Sequence, residues 1–312
     1  MRAYPIILLL LLFITGCSTT DYRQGAGAEY ALVHTGIQGV SIEFLNTAPP
    51  PKVFESQDFP IVVKYHNQGA SDVKDGRIYL TYDHNLIEIK DGENPATFDV
   101  TGKSMTNLKG DLDLAIFQAK AIKPINRKSQ ATQITATACY KYQTNAVFSI
   151  CVDTDQNGIK MREKVCTVQP YAQQSQGAPV AVQSVTEDVA YDGGDTSKIK
   201  MQFTIQVAKV NSGTLVRETV SSDRLCAADF GKVSQPLNQV LVRASLSGSA
   251  LHCESDGLLE LNKGSTIVCQ TTQPIDATLP TYVAPLAVTL DYGYIDTSFP
   301  VSIMISTDPF QK

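Results

Sequence analysis

Phe59-Pro-Ile-Val-Val-Lys-Tyr65-His-Asn67-Gln-Gly69, FPIVVKYHNQG, places Phe59, Ile61, Val63 and Tyr65 at alternate positions and then breaks at Asn-x-Gly. Successive side chains of a strand leave opposite faces, so this alternation marks a half-buried strand. Asn and Gly at the break accept the backbone angles of a turn. The design returns 144 residues later as Phe203-x-Ile205-x-Val207-x-x-x-Asn211-x-Gly213. A second pair of matches follows in the same order. Tyr140-x-Tyr142 with Ser149-Ile150 is echoed by Tyr292-x-Tyr294 with Ser302-Ile303. Together they read as one plan used twice, each copy closing on a hairpin after its Tyr-x-Tyr pair.

Strand signals fill the rest of the chain. Gly39–Leu45, Arg77–Tyr82, Leu86–Ile89, Ala115–Ile122, Thr132–Tyr142, Val147–Val152, Gln239–Leu246, Thr266–Gln270, Ala287–Tyr294 and Val301–Ile305 are rich in β-branched and aromatic residues and are separated by turn residues. No twelve-residue window carries a helical apolar stripe. The expected class is all-β, with two tandem immunoglobulin-like β-sandwich domains at 36–152 and 177–308, joined by a junction loop at 153–176. The stretch from Ala48 to Val73, with its "N-x-G-x-x-x-V" bend, resembles the CARDB-type and related immunoglobulin-like modules of prokaryotic surface proteins. The chain has no Trp, so the Cys…Trp…Cys pattern of antibody domains is missing.

Residues 1–16 read MRAYPIILLLLLFITG, one Arg followed by a nine-residue apolar run from Ile6 to Ile14. That run is too short to span a bilayer and fits a secretory signal. Ile14-Thr15-Gly16-Cys17 resembles the lipobox of prokaryotic lipoproteins. The resemblance implies that Cys17 becomes a lipidated N-terminus, a stable anchor when two or more acyl chains are attached. Residues 17–35 are polar and rich in small residues, which reads as a flexible tether lifting the fold off the membrane.

Six cysteines remain: Cys139, Cys151, Cys166, Cys226, Cys253 and Cys269. An even set in an exported chain implies disulfides. Cys253 and Cys269 flank a stretch able to fold back as a hairpin, so they are paired. A hairpin centred near Asn145 would bring Cys139 opposite Cys151; the competing choice is Cys151–Cys166. Cys226 is then left to bridge the halves, to Cys166 or Cys139, or to stay free.

"CVDTDQNGIKMREKVC", Cys151 to Cys166, sets Asp153, Asp155 and Asn157 before Gly158 at the spacing of a calcium loop. Position 12, where a bidentate Glu should close the shell, is Lys164. The loop reads as a polar turn with Ca2+ as the one candidate cofactor. Chemistry elsewhere is thin: G-x-S-x-G, P-loop, G-x-G-x-x-G and H-E-x-x-H motifs do not occur. Asp91-Gly-Glu93, Asp111-Leu-Asp113 and Asp192-Gly-Gly-Asp195 read as loops and turns. A net charge of −5 without a basic block argues against nucleic acid. The expectation is a non-catalytic lipoprotein, membrane-bound through its N-terminal lipid, facing the extracytoplasmic side and docking another envelope or surface protein. Alternatives are a structural envelope component or a small-ligand or glycan binder. The latter needs an exposed aromatic cluster, for which Tyr140, Tyr142, Tyr292 and Tyr294 are candidates, though core packing explains Y-x-Y in a strand more often.

Overall fold

From Ser129 to Val152 the chain runs 24 residues without Gly or Pro, and it forms one unbroken strand. The structure, a computed structural model, describes residues 26–90, 92, 94–125, 127–155, 158, 163–173, 175–226 and 236–308. In chain order the first half holds α1 (Ala26–Val33), β1 (Val40–Phe44), β2 (Lys52–Phe54), β3 (Asp58–Asn67), β4 (Val73–Thr81), β5 (Ile87–Ile89), β6 (Ala96–Val100), β7 (Leu112–Ala121) and β8 (Ser129–Val152). The second half holds β9 (Tyr171–Ala172), β10 (Val180–Asp192), β11 (Asp195–Lys209), β12 (Thr214–Arg217), α2 (Ser222–Leu225), β13 (Gln239–Leu246) and β14 (Ser249–Cys253). After a short 3₁₀ turn come β15 (Leu258–Glu260), β16 (Thr266–Thr271), β17 (Ile275–Asp276), β18 (Tyr282–Thr297) and β19 (Val301–Ser306).

The hairpin expected near Asn145 does not form. Alternation continues straight through it, with every even residue of β8 from Thr132 to Val152 buried. The partner of β8 comes from the other copy: β18 pairs with it antiparallel from Val152↔Tyr282 to Thr137↔Thr297. Tyr142 lies opposite Tyr292 and Tyr140 opposite Tyr294, so the two Tyr-x-Tyr motifs meet about a local pseudo-twofold at Lys141↔Gly293. The second closing hairpin is also absent. After Thr297 the chain continues along β8 as β19, pairing Val301↔Ile134 through Ser306↔Ser129, and β2 adds to it in parallel. The last strand of the second half thus builds the sheet of the first.

Sandwich layers follow from this shared ladder. A four-stranded sheet in the order β1-β3-β7-β5 belongs to the first half. The larger sheet passes through β8, β18 and β13, and β14 carries it over to β16, β11 and β10. Phe59, Ile61, Val63 and Phe117 from the small sheet lie in one contiguous core with Met201, Phe203, Ile205 and Val207 from β11 and with the buried apolar even residues of β8 and β18. Burial of so many aliphatic and aromatic side chains, each worth roughly 1.5–3 kcal/mol, is the main force holding the layers together.

Two segments depart from the expected loop structure. Residues 26–33, inside the stretch expected to be a flexible tether, are helical, in keeping with their Ala, Glu and Leu content. The Tyr30 hydroxyl at that helix donates to the Asn145 carbonyl, and its ring stacks on His34 at 3.9 Å. Asp111-Leu-Asp113 is not simply loop, because β7 begins at Leu112. Asp192-Gly-Gly-Asp195 is the tight turn expected, with Gly193 at φ 58° and Gly194 at φ 87° closing β10 onto β11.

Candidate functional site

The four tyrosines form the centre of the molecule. Adjacent ring centroids are 5.7 to 6.4 Å apart, and no ring exceeds 3% exposure. Their hydroxyls tie down the repeated turns. Tyr142 donates to Asn67 Oδ1 at 3.3 Å and accepts from the Ser71 N–H at 3.2 Å. Tyr294 accepts from the Gly213 N–H at 2.8 Å. Tyr140 accepts from the Val40 N–H at 3.0 Å. Tyr292 lies 2.9 Å from Thr144 Oγ1, whose proton goes to the Val180 carbonyl at 2.7 Å. The two repeat motifs therefore bind each other. A Cβ on Gly69 would fall 1.9 Å from the Tyr142 oxygen, and one on Gly213 would fall 2.5 Å from the Tyr294 ring. Burial pushes all four phenols up, Tyr294 to about 12. As an exposed aromatic platform these residues are ruled out; they are core.

At the end of β8, the loop carrying the calcium pattern is organised by its own lysine. Lys164 Nζ lies 2.6 Å from Asp153 Oδ2 and 2.6 Å from the Asp155 carbonyl, which also accepts from the Gly158 N–H at 3.0 Å. Asp153 Oδ1 accepts from the Asp155 N–H at 2.9 Å and from Thr281 Oγ1 at 3.3 Å. Burial alone would raise the Asp153 carboxyl, but its bonds to Lys164 and the Asp155 N–H outweigh that and hold it below the usual range. An ammonium thus sits between the Asp153 carboxylate and the Asp155 backbone carbonyl. Asn157 lies outside the described residues, as do Asp91, Glu93, Cys17 and the signal segment 1–16. Among the described residues no group of three or more His, Cys, Asp or Glu side chains is placed to hold a metal.

Glu187 lies beside this loop and carried no signal in the sequence. It is 7% exposed, and among the described residues neither carboxylate oxygen has a hydrogen-bond partner. Burial, then the charges of Asp153 and Asp188, push it up to about 7.

The bridges are Cys139–Cys226, Cys151–Cys166 and Cys253–Cys269. The Cys139–Cys151 pairing fails because β8 never folds back, leaving both residues on one strand. Cys139–Cys226 instead joins β8 to α2 across the halves, in a small outer core with Val216, Leu225 and Ile295. An oxidising compartment is where such bridges persist.

Two surface features could engage something else. Over the outer face of the β8–β18 ladder lies a cleft of about 710 Å3 lined by Asp72, Lys74, Lys141, Glu218, Arg243 and Asp291. Arg243 and Gln143 both bond Asp291, whereas Lys74 and Lys141 have no ion-pair partner among the described residues. The second feature is the edge of β7. Asn67 N–H donates to the Asp111 carbonyl and Ala121 N–H to Gln57, so odd residues of this row bond β3. Even residues point away from it, and Lys90 reaches Gln118 from β5. Between Asp111 and Gln118 no strand pairs with this edge among the described residues. Here Leu112, Leu114 and Ile116 are 50%, 41% and 56% exposed. The alternation Leu112, Leu114, Ile116 against Ala115, Phe117, Ala119 makes both faces apolar, a signal visible in the sequence but masked by Asp111 and Asp113.

No family model and no curated protein matches this chain. Solved structures with a distant likeness include the secreted serine protease VesC from Vibrio cholerae, 8% identical with a TM-score of 0.20 over 85% of this chain and 50% of that one. The chain thus spans half the length of that protease. The C-terminal domain of the AgI/II polypeptide BspA of Streptococcus agalactiae is 7% identical, with a TM-score of 0.18 over 86% of this chain and 100% of that one. The collagen-binding domain of the surface protein RspB of Erysipelothrix rhusiopathiae is 8% identical, with a TM-score of 0.15 over 88% and 96%. At such TM-scores none of them bears on what this chain does. The all-β sandwich assignment rests on its own strands.

Proposed function

We propose that this chain is an exported, lipid-anchored, non-catalytic interaction module of a prokaryotic cell envelope, held to the membrane through Cys17 and docking an envelope or surface protein along the β7 edge. The unpaired run from Leu112 to Ile116 carries this reading. Soluble proteins protect sheet edges with charge, Pro or bulges, and a bare aliphatic edge is a template for a partner's strand. The free part of β10 offers a contrast, because Glu187, Asp188 and Asp192 place carboxylates along it. Three disulfides support folding in an oxidising compartment.

A photo-crosslinking residue at Leu114, in the lipidated chain in its membrane, tests the docking edge. Outward-facing Gln202 on β11 is the control position. Capture at Leu114 alone, abolished by Ile116→Lys, is the expected result. Equal capture at both positions, or none at Leu114, overturns the reading. Cys17→Ala should leave the precursor unlipidated and release it from the membrane.

A second reading, a small ligand or glycan in the cleft, is favoured by the unpaired Lys74 and Lys141. Saturable sugar binding lost in Lys141→Ala, with Ile116→Lys behaving as wild type, would put function there instead.

A further inference from the structure

The geometry of the β7 edge specifies a partner strand closely. Backbone groups of Leu112, Leu114 and Ile116 point out of the sheet, which is the parity that an added antiparallel strand must meet. At present the Leu114 N–H is taken by its neighbour's Asp113 Oδ1 at 2.8 Å. The free window ends on one side at Gly110, whose N–H donates to Asn107, and on the other at Gln118, held by Lys90. Resting on the reading of this edge as the docking site, we infer that its occupant is a second copy of this chain, with the two β7 strands antiparallel about Leu114.

Centred on Leu114, this register puts Leu112 opposite the partner copy's Ile116, Leu114 opposite itself, and Ile116 opposite Leu112. All three pairs project from the same outer face, so each aliphatic side chain gains an aliphatic neighbour at cross-strand distance. The register also avoids repulsion: Gly110 faces Gln118 at the rim of the window, while on the other face Asp113 meets Ala115 and Asp111 meets Phe117. No like charges oppose. The pairing joins two four-stranded sheets into one across an isologous twofold. Five residues a side is small against the roughly 20–30 of a stable interface, so the pair belongs to chains concentrated side by side on a membrane.

The test uses the full lipidated chain in its membrane, with single cysteines introduced and mild oxidation applied. Leu114→Cys should give a disulfide dimer. Leu112→Cys mixed with Ile116→Cys should crosslink severalfold more than either alone, and Ile116→Lys in the Leu114→Cys background should abolish the dimer. Equal crosslinking at all positions means collision without register and overturns the inference. So does the absence of a Leu114→Cys dimer. If the photo-crosslinker at Leu114 still captures a different protein, the docking edge stands and only self-pairing is wrong. If it captures nothing, both fall. Near-native circular dichroism of each variant, expected because the three side chains are exposed, keeps a negative result informative.

Discussion

Glu187 occupies a core-facing position on β10 with no partner for its charge among the described residues, and its protonation should govern how stability varies with pH. Its carboxyl is raised from the ordinary 4.5 to about 7. Between those values the folded chain holds a proton that the unfolded chain has released, so stability falls as pH rises through this window. Glu187→Gln is expected to raise the urea midpoint at pH 8, with the gain shrinking toward zero by pH 4.5. A gain independent of pH would show that ionisation is not the cause. The tyrosine hydroxyls make the opposite case, buried polar groups that are satisfied. Tyr142→Phe and Tyr294→Phe each strand a backbone N–H, that of Ser71 or Gly213. Each should cost about 1–3 kcal/mol in denaturant unfolding. At this scale the Asn-x-Gly turns and the Tyr-x-Tyr pairs were legible in the sequence. Their mutual contact was not, because 75 residues separate Tyr142 from Asn67.

Among the elements, β8 shows how a local reading can miscarry. Asn145 suggested a turn, yet neither Gly nor Pro stands beside it, and buried Thr144 and Ala146 carry the alternation through. β10 escaped notice for a related reason. A bulge between Val182 and Ser184 shifts its phase, and Glu187 then takes an inward position that an apolar residue would have marked. The bridge from β8 to α2 closes a separation of 87 residues, against 15 for Cys151–Cys166. Chain entropy makes the longer loop worth about 4–5 kcal/mol and the shorter about 3 kcal/mol. Replacing Cys139 and Cys226 together by Ala should therefore lower the urea midpoint more than replacing Cys151 and Cys166. The reverse order would mean that native packing around Cys151 outweighs loop closure.

At the scale of the whole molecule, the ladder between β8 and β18 couples the two halves. Separating them would bare sixteen paired positions on each strand and remove β19 from the first half's sheet. Segments 36–152 and 177–308 expressed alone should each be insoluble or lack cooperative unfolding. The full chain should melt in one transition, followed by calorimetry. Two transitions, or a soluble and cooperatively folded 177–308, would show that the shared ladder does not couple the halves.

The sequence by itself determined that the chain is all-β, which side chains of β3, β11 and β18 face inward, and where the Asn-x-Gly and Asp-Gly-Gly-Asp turns fall. These are local matters of side-chain period and backbone freedom, written in neighbouring residues. Which strand lies against which was decided only by the tertiary structure. A strand's backbone bonds are chemically alike whatever strand lies opposite, so the choice comes from register and packing across the sheet. β8 found β18 rather than itself because that register sets four tyrosines together and lets their hydroxyls reach both Asn-x-Gly turns. The same indifference of backbone chemistry leaves β7, unpaired with any strand from Leu112 to Ile116 among the described residues, able to accept one strand more.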